Sequence, residues 1–430
     1  MTDTMYTFRP VNVGRIMLWS LFALVLLVAP KLFTSSLSMT MLTQMGIAII
    51  ACLSYNILLG QGGMLSFGHA VYTGLGSYVA MHTLNRISGG DLPIPVSLVP
   101  FAGGLAGMGF AVLLGYVTTR KAGNTFAMIT LGLGELVFAM SLMVPEFFGG
   151  EGGVSGNRVV GEPFMGITYG PAIQVYYLIS VYTFVCVVAM FAFTQTPLGR
   201  MLNAVRDNPE RVEFVGYNTQ RVRYFAFIIA GFFAGVSGGM AALNFEIATA
   251  EVVGAARSGG YLLFTFLGGA TFFFGPILGA VLMVLAFVLF SEFTKAWLLY
   301  LGLIFMLMVM YAPGGMASLI MMNVRVAAFG KLRQLLLPYL ALVLTGLVGL
   351  AGVAGIVEMT YHLQFSGSTG DDLALLGVPL QTNAVSSWLG AGALLLFGGG
   401  AFEWSRRRFA KSWSAVQVDI QNQINRKGAP

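Results

Sequence analysis

Long apolar runs that are almost free of charge, separated by short polar segments, organise most of the chain. The first run covers residues 16–30, and residues 32–85 contain no Asp, Glu, Lys or Arg. Further runs follow at 92–119, 122–145, 171–193, 224–244, 258–291, 296–311, 334–357 and 386–402. A transmembrane helix needs about 20 predominantly apolar residues. The pattern therefore predicts an all-α polytopic membrane protein with about ten core transmembrane helices, some of them broken, and two additional C-terminal ones.

The composition supports the same class of protein. Apolar residues make up 57% of the chain and charged residues 9%, whereas charged residues are about a quarter of an ordinary soluble domain. The 56 glycines favour close helix contacts and broken helices. Cys52 and Cys186 each lie in an apolar run, so neither indicates a disulfide or a metal site.

Basic residues predict the orientation, because cytoplasmic loops of membrane proteins carry an excess of Lys and Arg. Arg9 and Arg15 precede the first run, and Arg406, Arg407 and Arg408 follow the last one. Both termini are therefore expected in the cytoplasm. The basic C-terminal tail either orients the chain or contacts anionic lipid, and the net charge of +6 does not indicate nucleic-acid binding.

The longest strongly charged segment between two apolar runs is residues 196–227, which the same rule places in the cytoplasm. Asn208 is a good N-cap, Pro209 suits the first helical position and Gly216 favours a left-handed stop. Residues 209–215 are therefore predicted to form a short helix.

Two side-chain pairs are expected in and beside this short helix. Val212 and Val215 are three residues apart and are expected to share a face that a partner covers, while Arg206 and Glu210 are spaced to form an ion pair. The alternative is a solvated loop with a capped helix.

Two glycine-rich stretches predict broken helices. In the first, Gly62, Gly63 and Gly68 allow the backbone to bend, and Gln61, Ser66 and His69 offer donors and acceptors to a substrate path. The alternative is that the small residues pack helices tightly and His69 is a satisfied buried imidazole. The second stretch contains four break residues, which are Gly268, Gly269, Gly275 and Pro276.

Glu135 is the single charged residue in the run 122–145. A carboxylate in hydrocarbon costs a few kcal/mol, so Glu135 is expected to face protein or water. It is either part of the substrate path or a hydrogen-bonded packing residue.

The segment 146–170 is a glycine-rich polar loop expected on the outer side of the membrane. It contains Glu146, Glu151 and Glu162 against a single basic residue, Arg158. The loop lacks the Gly-Lys-Ser/Thr ending of a phosphate-binding loop, so no nucleotide is assigned to it.

Residues 209–216, PERVEFVG, resemble the EAA coupling loop of bacterial ABC importer permeases, in which a Glu is followed six residues later by a Gly. The match holds at Glu210 and Gly216 and departs at Arg211 and Val212, where an Ala pair is usual. The wider segment 198–239 resembles the LivM type of branched-chain amino acid permease.

A second signature of that family is similar to residues 60–78, with matches at Gly60, Gln61, Gly63, Ser66, Gly68, His69, Ala70, Gly74, Gly76 and Tyr78. Residues 125–135, 149–156 and 266–280 resemble further family segments. The resemblance covers about residues 10–320, and Ala312 stands where the family commonly has Arg.

The resemblance implies a permease subunit of an ATP-driven importer for branched-chain or related amino acids or small organic solutes in the bacterial inner membrane. The implied partners are two ABC ATPase subunits, a homologous second permease, an extracytoplasmic solute-binding protein and membrane lipid. ATP and Mg would be held by the ATPase subunits, so no cofactor, metal site or catalytic residue is expected in this chain. The implied ATPase-coupling loop comprises Arg206, Asn208, Pro209, Glu210, Arg211, Glu213, Gly216, Tyr217 and Asn218.

Three domains are expected, namely a permease transmembrane domain at 1–322, an extension with two more transmembrane helices at 323–404 and a basic cytoplasmic tail at 405–430. Glu358, Asp371 and Asp372 are expected in an outer loop of the extension.

Two other classes of protein are alternatives to the permease. The alternative function is a self-contained secondary transporter or channel, which should carry more ionisable residues within the membrane than Glu135 alone. An integral-membrane enzyme should present a cluster of His, Asp or Cys at one face, and the sequence indicates none. ATP chemistry is not expected in this chain, because it has no Walker-type motif, and its three His form no HExxH or triad-like cluster.

Overall fold

The computed structural model describes residues 13–160, 167–365, 372–375, 378–381 and 384–428, so Arg9, Glu162 and Asp371 lie outside the described residues. The described residues are almost all helical, which confirms the prediction of an all-α protein. The strands form two short antiparallel pairs, β1 (Val154–Ser155) with β2 (Ile247–Ala248) and β3 (Asp372–Leu375) with β4 (Val378–Gln381).

Contacts divide the described residues into two units. The first comprises the residues up to Val288 together with Pro313–Ala317, and the second comprises Leu289–Ala312 and the residues from Ser318 onward. The helices of the first unit are α1 Val13–Leu32, α2 Ser36–Asn56, α3 Ala70–Ser88, α4 Val99–Thr118, α5 Gly123–Met143, α6 Pro145–Phe148, α7 Ala172–Gln195, α8 Pro197–Asp207, α9 Pro209–Phe214, α10 Thr219–Phe245, α11 Ala255–Gly268 and α12 Gly275–Leu285. The remaining helices are α13 Ser291–Phe293, α14 Trp297–Tyr311, α15 Gly315–Ala328, α16 Leu332–Phe365 and α17 Val385–Gly428.

Nine helices in the described part of the chain are long and apolar enough to cross a membrane, or up to ten if the bent pair α14 and α15 is one span. The two expected C-terminal spans are present in α16 and α17. The core holds fewer spans than the ten expected from the sequence, because α3 is not apolar enough and α11 has only 14 residues. Since most of α3 is buried against other helices, it does not need a lipid-compatible surface.

Among the candidate spans of the first unit, α2 and α10 are the most enclosed. In each, 78% of the most apolar window is buried, compared with 11% in α1. Helix α10 packs along α3 and α4, and glycines allow the three backbones to approach closely. A Cβ at Gly76 would lie 2.6 Å from the Gly235 Cα, and a Cβ at Gly103 would lie 2.8 Å from the Gly235 carbonyl oxygen.

Helices α16 and α17 of the second unit pack against each other through a similar glycine contact. A Cβ at Gly398 would lie 2.6 Å from the Gly349 Cα. Glu358, which was expected in an outer loop, lies within α16, where it accepts a hydrogen bond from the Tyr300 hydroxyl at 3.2 Å. A small buried apolar cluster, made of Val326, Leu335, Val416 and Ile420, joins the ends of these helices to α15.

Candidate functional site

The coupling segment, defined as residues 206–218, folds locally as its sequence predicts. The Asn208 side chain accepts a hydrogen bond from the Arg211 backbone N–H at 3.0 Å and caps α9, in which Pro209 is the first residue. Gly216 has a φ of +90°, a conformation that glycine adopts without steric penalty. This segment therefore forms one compact helical knob between α8 and α10.

The outer surface of this knob is apolar at its tip. Phe214, Val215 and Tyr217 are 89%, 74% and 51% exposed, whereas Val212 is buried. The prediction that Val212 and Val215 share one covered face was wrong, because α9 ends at Phe214 and Val215 leaves the helix. Phe214 is not among the residues predicted from the sequence.

Arg206 forms an ion pair with Asp207 at 2.9 Å, not with Glu210 as predicted. The backbone is extended at Asn208, so α8 and α9 are separate helices and the expected four-residue spacing does not lie along one helix. The guanidinium also donates a hydrogen bond to the Gly60 carbonyl oxygen. Of the remaining expected coupling residues, Asn208 is half-buried. The others are exposed, and they are Pro209, Glu210, Arg211, Glu213, Gly216, Tyr217 and Asn218.

The end of α9 is tied to the start of α10. The Thr219 hydroxyl donates to the Glu213 carboxylate at 2.8 Å, and Arg223 donates to the Thr219 hydroxyl oxygen at 3.0 Å. The Asn218 side chain caps α10 by accepting from the Arg221 N–H at 3.0 Å. Side-chain hydrogen bonds therefore join the end of α9 to the start of α10.

The first helix break lies between α2 and α3. Helix α2 continues into a π-helical turn, Ile57–Gln61, and the chain then runs without regular structure until α3 begins at Ala70. Gly63 has a φ of +64°, and Gly68 is so close to the Thr130 carbonyl group that a side chain would not fit. Gln61 is half-buried at the end of the turn.

Buried polar side chains surround this break. The His69 ring is fully buried, with Nε2 2.9 Å from the Ser54 hydroxyl, and the Tyr55 hydroxyl donates to the Ser66 carbonyl oxygen at 2.9 Å. The His69 Nδ1, Ser66 Oγ and Asn56 Oδ1 atoms are buried without a protein partner. Since buried polar atoms normally have partners, the break has unused hydrogen-bonding capacity.

The structure brings Ser66 and His69 together through Tyr55, but it does not bring Glu135 to them. Helix α5 contacts the break through Thr130, whose hydroxyl accepts from the Phe67 N–H at 3.1 Å. Glu135 lies on the exposed side of α5. Within the described ranges, no group of three or more His, Cys, Asp or Glu side chains could hold a metal ion.

The second break lies between α11, which ends at Gly268, and α12, which begins at Gly275 with Pro276 in its first turn. Gly269 has a φ of +108°. The helices cross at glycines, and a Cβ at Gly268 would lie 2.7 Å from the Gly279 nitrogen. The roles of both breaks in transport stay a prediction.

Arg158 anchors the glycine-rich loop to the end of α10. Its guanidinium donates to the carbonyl oxygens of Tyr169 and Asn244 at 2.8 and 3.1 Å, and its backbone N–H donates to Glu246 at 2.9 Å. The pairing of β1 with β2 adds a second attachment. No role is predicted for Arg158 from the sequence, although its position as the single basic residue of an acidic loop was a signal.

The sequence of the chain is similar to a known protein family. The model of the family described as branched-chain amino acid transport system / permease component matches residues 37–314. The high-affinity branched-chain amino acid transport system permease protein LivM of Escherichia coli (strain K12) is 30% identical over 315 residues, and that of Salmonella typhimurium (strain LT2) is 29% identical over 314 residues. Each alignment covers 68% of this chain and 73% of the relative. No solved structure matches. The chain therefore belongs to the branched-chain amino acid transport system permease family and is a LivM-type, multi-pass membrane permease subunit.

Proposed function

We propose that this permease subunit works in an ATP-driven importer of branched-chain or related amino acids or other small organic solutes. The observation that carries the proposal is the apolar tip of the coupling segment. Phe214, Val215 and Tyr217 are largely exposed, although the segment falls between the candidate spans Ala172–Gln195 and Thr219–Phe245. Large apolar side chains exposed together in a charged segment favour a protein interface.

The proposed occupant of this tip is an ABC ATPase subunit, one of two in the complex. A Phe or Tyr side chain buries about 150–250 Å² when a partner encloses it, and aromatic residues often dominate binding energy at interfaces. Glu210 and Arg211, exposed beside the tip, would form a charged rim that selects the partner and its orientation. ATP and Mg belong to the ATPase subunits in this proposal, and this chain holds no cofactor.

Motion of the ATPase subunits would reach the membrane helices through α10. The bonds of Thr219 to Glu213 and Arg223 join α9 to α10, and the glycine contacts of Gly235 hold α10 against α3 and α4. A tilt of α10 therefore moves these three helices together. Because α3 begins directly after the first break, this tilt would also change the break.

The proposed substrate path includes the first break and the exposed side of α5. An amino acid offers an ammonium group, a carboxylate and, in the branched-chain case, an apolar side chain. Ser66, His69 and Gln61 offer hydrogen bonds at the break, and the Glu135 carboxylate offers charge to an ammonium group. A homologous second permease is proposed to cover the side of α5 that carries Glu135, since a carboxylate exposed to lipid is costly.

On the outer side, an extracytoplasmic solute-binding protein is proposed to dock at the loop that Arg158 anchors. The rigid attachment of this loop to α10 through Glu246 suits such a surface. The proposed location is the bacterial inner membrane, with both termini and the coupling segment in the cytoplasm, as the distribution of basic residues predicts.

The proposal is tested by replacing Phe214 with Ala in the tagged chain and measuring how much ATPase protein co-purifies in mild detergent. Phe293→Ala is the matched control, because Phe293 is similarly exposed, at 82%, and lies outside the coupling segment. The proposal predicts that Phe214→Ala reduces the bound ATPase at least about tenfold, as for an interface hot spot worth ~1.4 kcal/mol or more, while Phe293→Ala does not. Equal retention of ATPase by both variants would contradict it. A wild-type chain that purifies alone and transports without ATP would indicate a secondary transporter.

A further inference from the structure

We infer that Arg206 is a positioning residue that links the coupling segment directly to the first helix break, and so transmits ATPase motion to the substrate path. This inference rests on the proposed function. It adds a second route of transmission, separate from the one through α10, and it assigns that route to one side chain and one backbone carbonyl.

The guanidinium of Arg206 joins two groups. Its Nε and Nη2 atoms lie 2.9 Å from the Asp207 carboxylate, at the residue before the α9 cap. Its Nη1 atom donates to the carbonyl oxygen of Gly60, which is 146 residues away in the chain and lies in the π-helical turn. The side chain is 35% exposed, so its bond to the carbonyl is partly shielded from water.

Steric contacts reinforce this hydrogen bond. A Cβ at Gly63 would lie 2.8 Å from the Arg206 Cγ atom, and a Cβ at Gly62 would lie 3.2 Å from the Leu202 side chain. Leu202 is fully buried on the same helix, α8. Helix α8 therefore packs against the glycines of the break over a full turn, and neither surface can move far without the other.

The break is a segment that such a push could rearrange. The Leu58 carbonyl oxygen accepts from both the Gly62 N–H at 3.2 Å and the Met64 N–H at 2.9 Å. A single π-helical turn is rare and frequently lies at a functional site. A shift of the Gly60 carbonyl would change which N–H groups these acceptors hold, and it would move the following irregular chain with Ser66 and His69.

The chemical requirement at position 206 is specific. A guanidinium presents several N–H donors in a fixed plane, so it can hold a carboxylate and a carbonyl at once, whereas a lysine ammonium is a point charge on a flexible stem. Arg200 lies on the same helix and is exposed, so it supplies a control for loss of positive charge alone.

The test uses the full complex in proteoliposomes, with ATP hydrolysis and solute uptake measured together. The readout is the number of solute molecules transported per ATP hydrolysed. A residue that only supports folding lowers both rates with the amount of assembled complex and leaves this ratio unchanged. For Arg206→Ala we expect the ratio to fall about tenfold, which corresponds to ~1.4 kcal/mol, while Arg200→Ala keeps the wild-type ratio. For Arg206→Lys we expect an intermediate ratio.

Several outcomes overturn the inference. One is a wild-type ratio of solute transported to ATP hydrolysed in Arg206→Ala. If that variant does not assemble, a wild-type ratio in Arg206→Lys overturns the inference instead. A double-mutant cycle with Gly63→Ala gives an independent check. The Arg206→Ala substitution removes the Cγ atom that the methyl group added at position 63 would contact. The fold decrease in transported solute per ATP should therefore be smaller in the double variant than the product of the fold decreases in the two single variants. Strictly multiplicative effects overturn the inference. If wild-type complexes lack ATPase subunits, the proposed function fails and this inference fails with it.

Discussion

Replacing Gly103 with Ala tests whether the contact of α3, α4 and α10 is as close as the structure describes. A Cβ at Gly103 would lie 2.8 Å from the Gly235 carbonyl oxygen, 2.9 Å from the Gly76 carbonyl oxygen and 3.0 Å from the Gly239 Cα, whereas ordinary contacts are 3.4–4 Å. All three atoms belong to the backbones of neighbouring helices, so no flexible side chain can yield. Each helix would have to retreat by about half an ångström.

Gly109, on the same helix, is the matched control, because no atom lies within 4 Å of its added Cβ. Both substitutions gain the same helix propensity, about 1 kcal/mol for Gly to Ala, so this gain cancels in the comparison. The remaining difference is the cost of overpacking, about 1–3 kcal/mol. Gly103→Ala should therefore melt several degrees below Gly109→Ala.

The assay heats the detergent-solubilised protein and follows its single peak in size-exclusion chromatography. The melting temperature is the one at which half of the protein no longer elutes in that peak. Because membrane proteins often unfold irreversibly, both variants must be heated at the same rate. Equal melting temperatures for the two variants would refute the described contact. The comparison also bears on function, since α10 is proposed to carry the motion of α9 into α3.

Three further predictions concern function. Asn208→Ala removes the cap of α9, worth about 1 kcal/mol, and should lower ATP-dependent uptake, while Asn208→Asp keeps an acceptor and should not; equal uptake by the two variants would contradict a role for the cap. Glu135→Gln keeps the side-chain shape without the charge and should lower uptake in a complex that assembles normally; loss of expression instead would indicate a packing role. Arg158→Ala removes the guanidinium contacts with Tyr169, Asn244 and Glu246 and keeps the backbone bond to Glu246, and it should lower the stimulation of ATP hydrolysis by the solute-binding protein while basal hydrolysis persists. Unchanged stimulation would count against docking at this loop.

Local features of the chain were predictable because they depend on neighbours in sequence. The cap at Asn208 and the left-handed stop at Gly216 require only residues within one or two turns, and both occur where expected. The spans were likewise predictable from the length and hydropathy of each run. Helix α3 was predicted to be a span, because an uncharged run looks the same in sequence whether its helix faces lipid or is buried by other helices.

Contacts between distant residues could not be read from the sequence. Arg206 was paired with Glu210 because the spacing suited a continuous helix, but its actual partners are the adjacent Asp207 and the carbonyl of Gly60. A backbone carbonyl has no sequence signature. The contact of His69 with Ser54 crosses an irregular segment of chain, so no helical or strand periodicity relates the two residues.

We propose above that ATPase subunits drive this permease by docking on the coupling segment. Its most direct test is purification of the tagged wild-type chain in mild detergent, identification of the proteins that accompany it, and measurement of uptake into vesicles with and without ATP. We expect ATP-binding subunits and a second permease to co-purify, and we expect uptake to require ATP. A chain that purifies alone and transports equally well without ATP would contradict it.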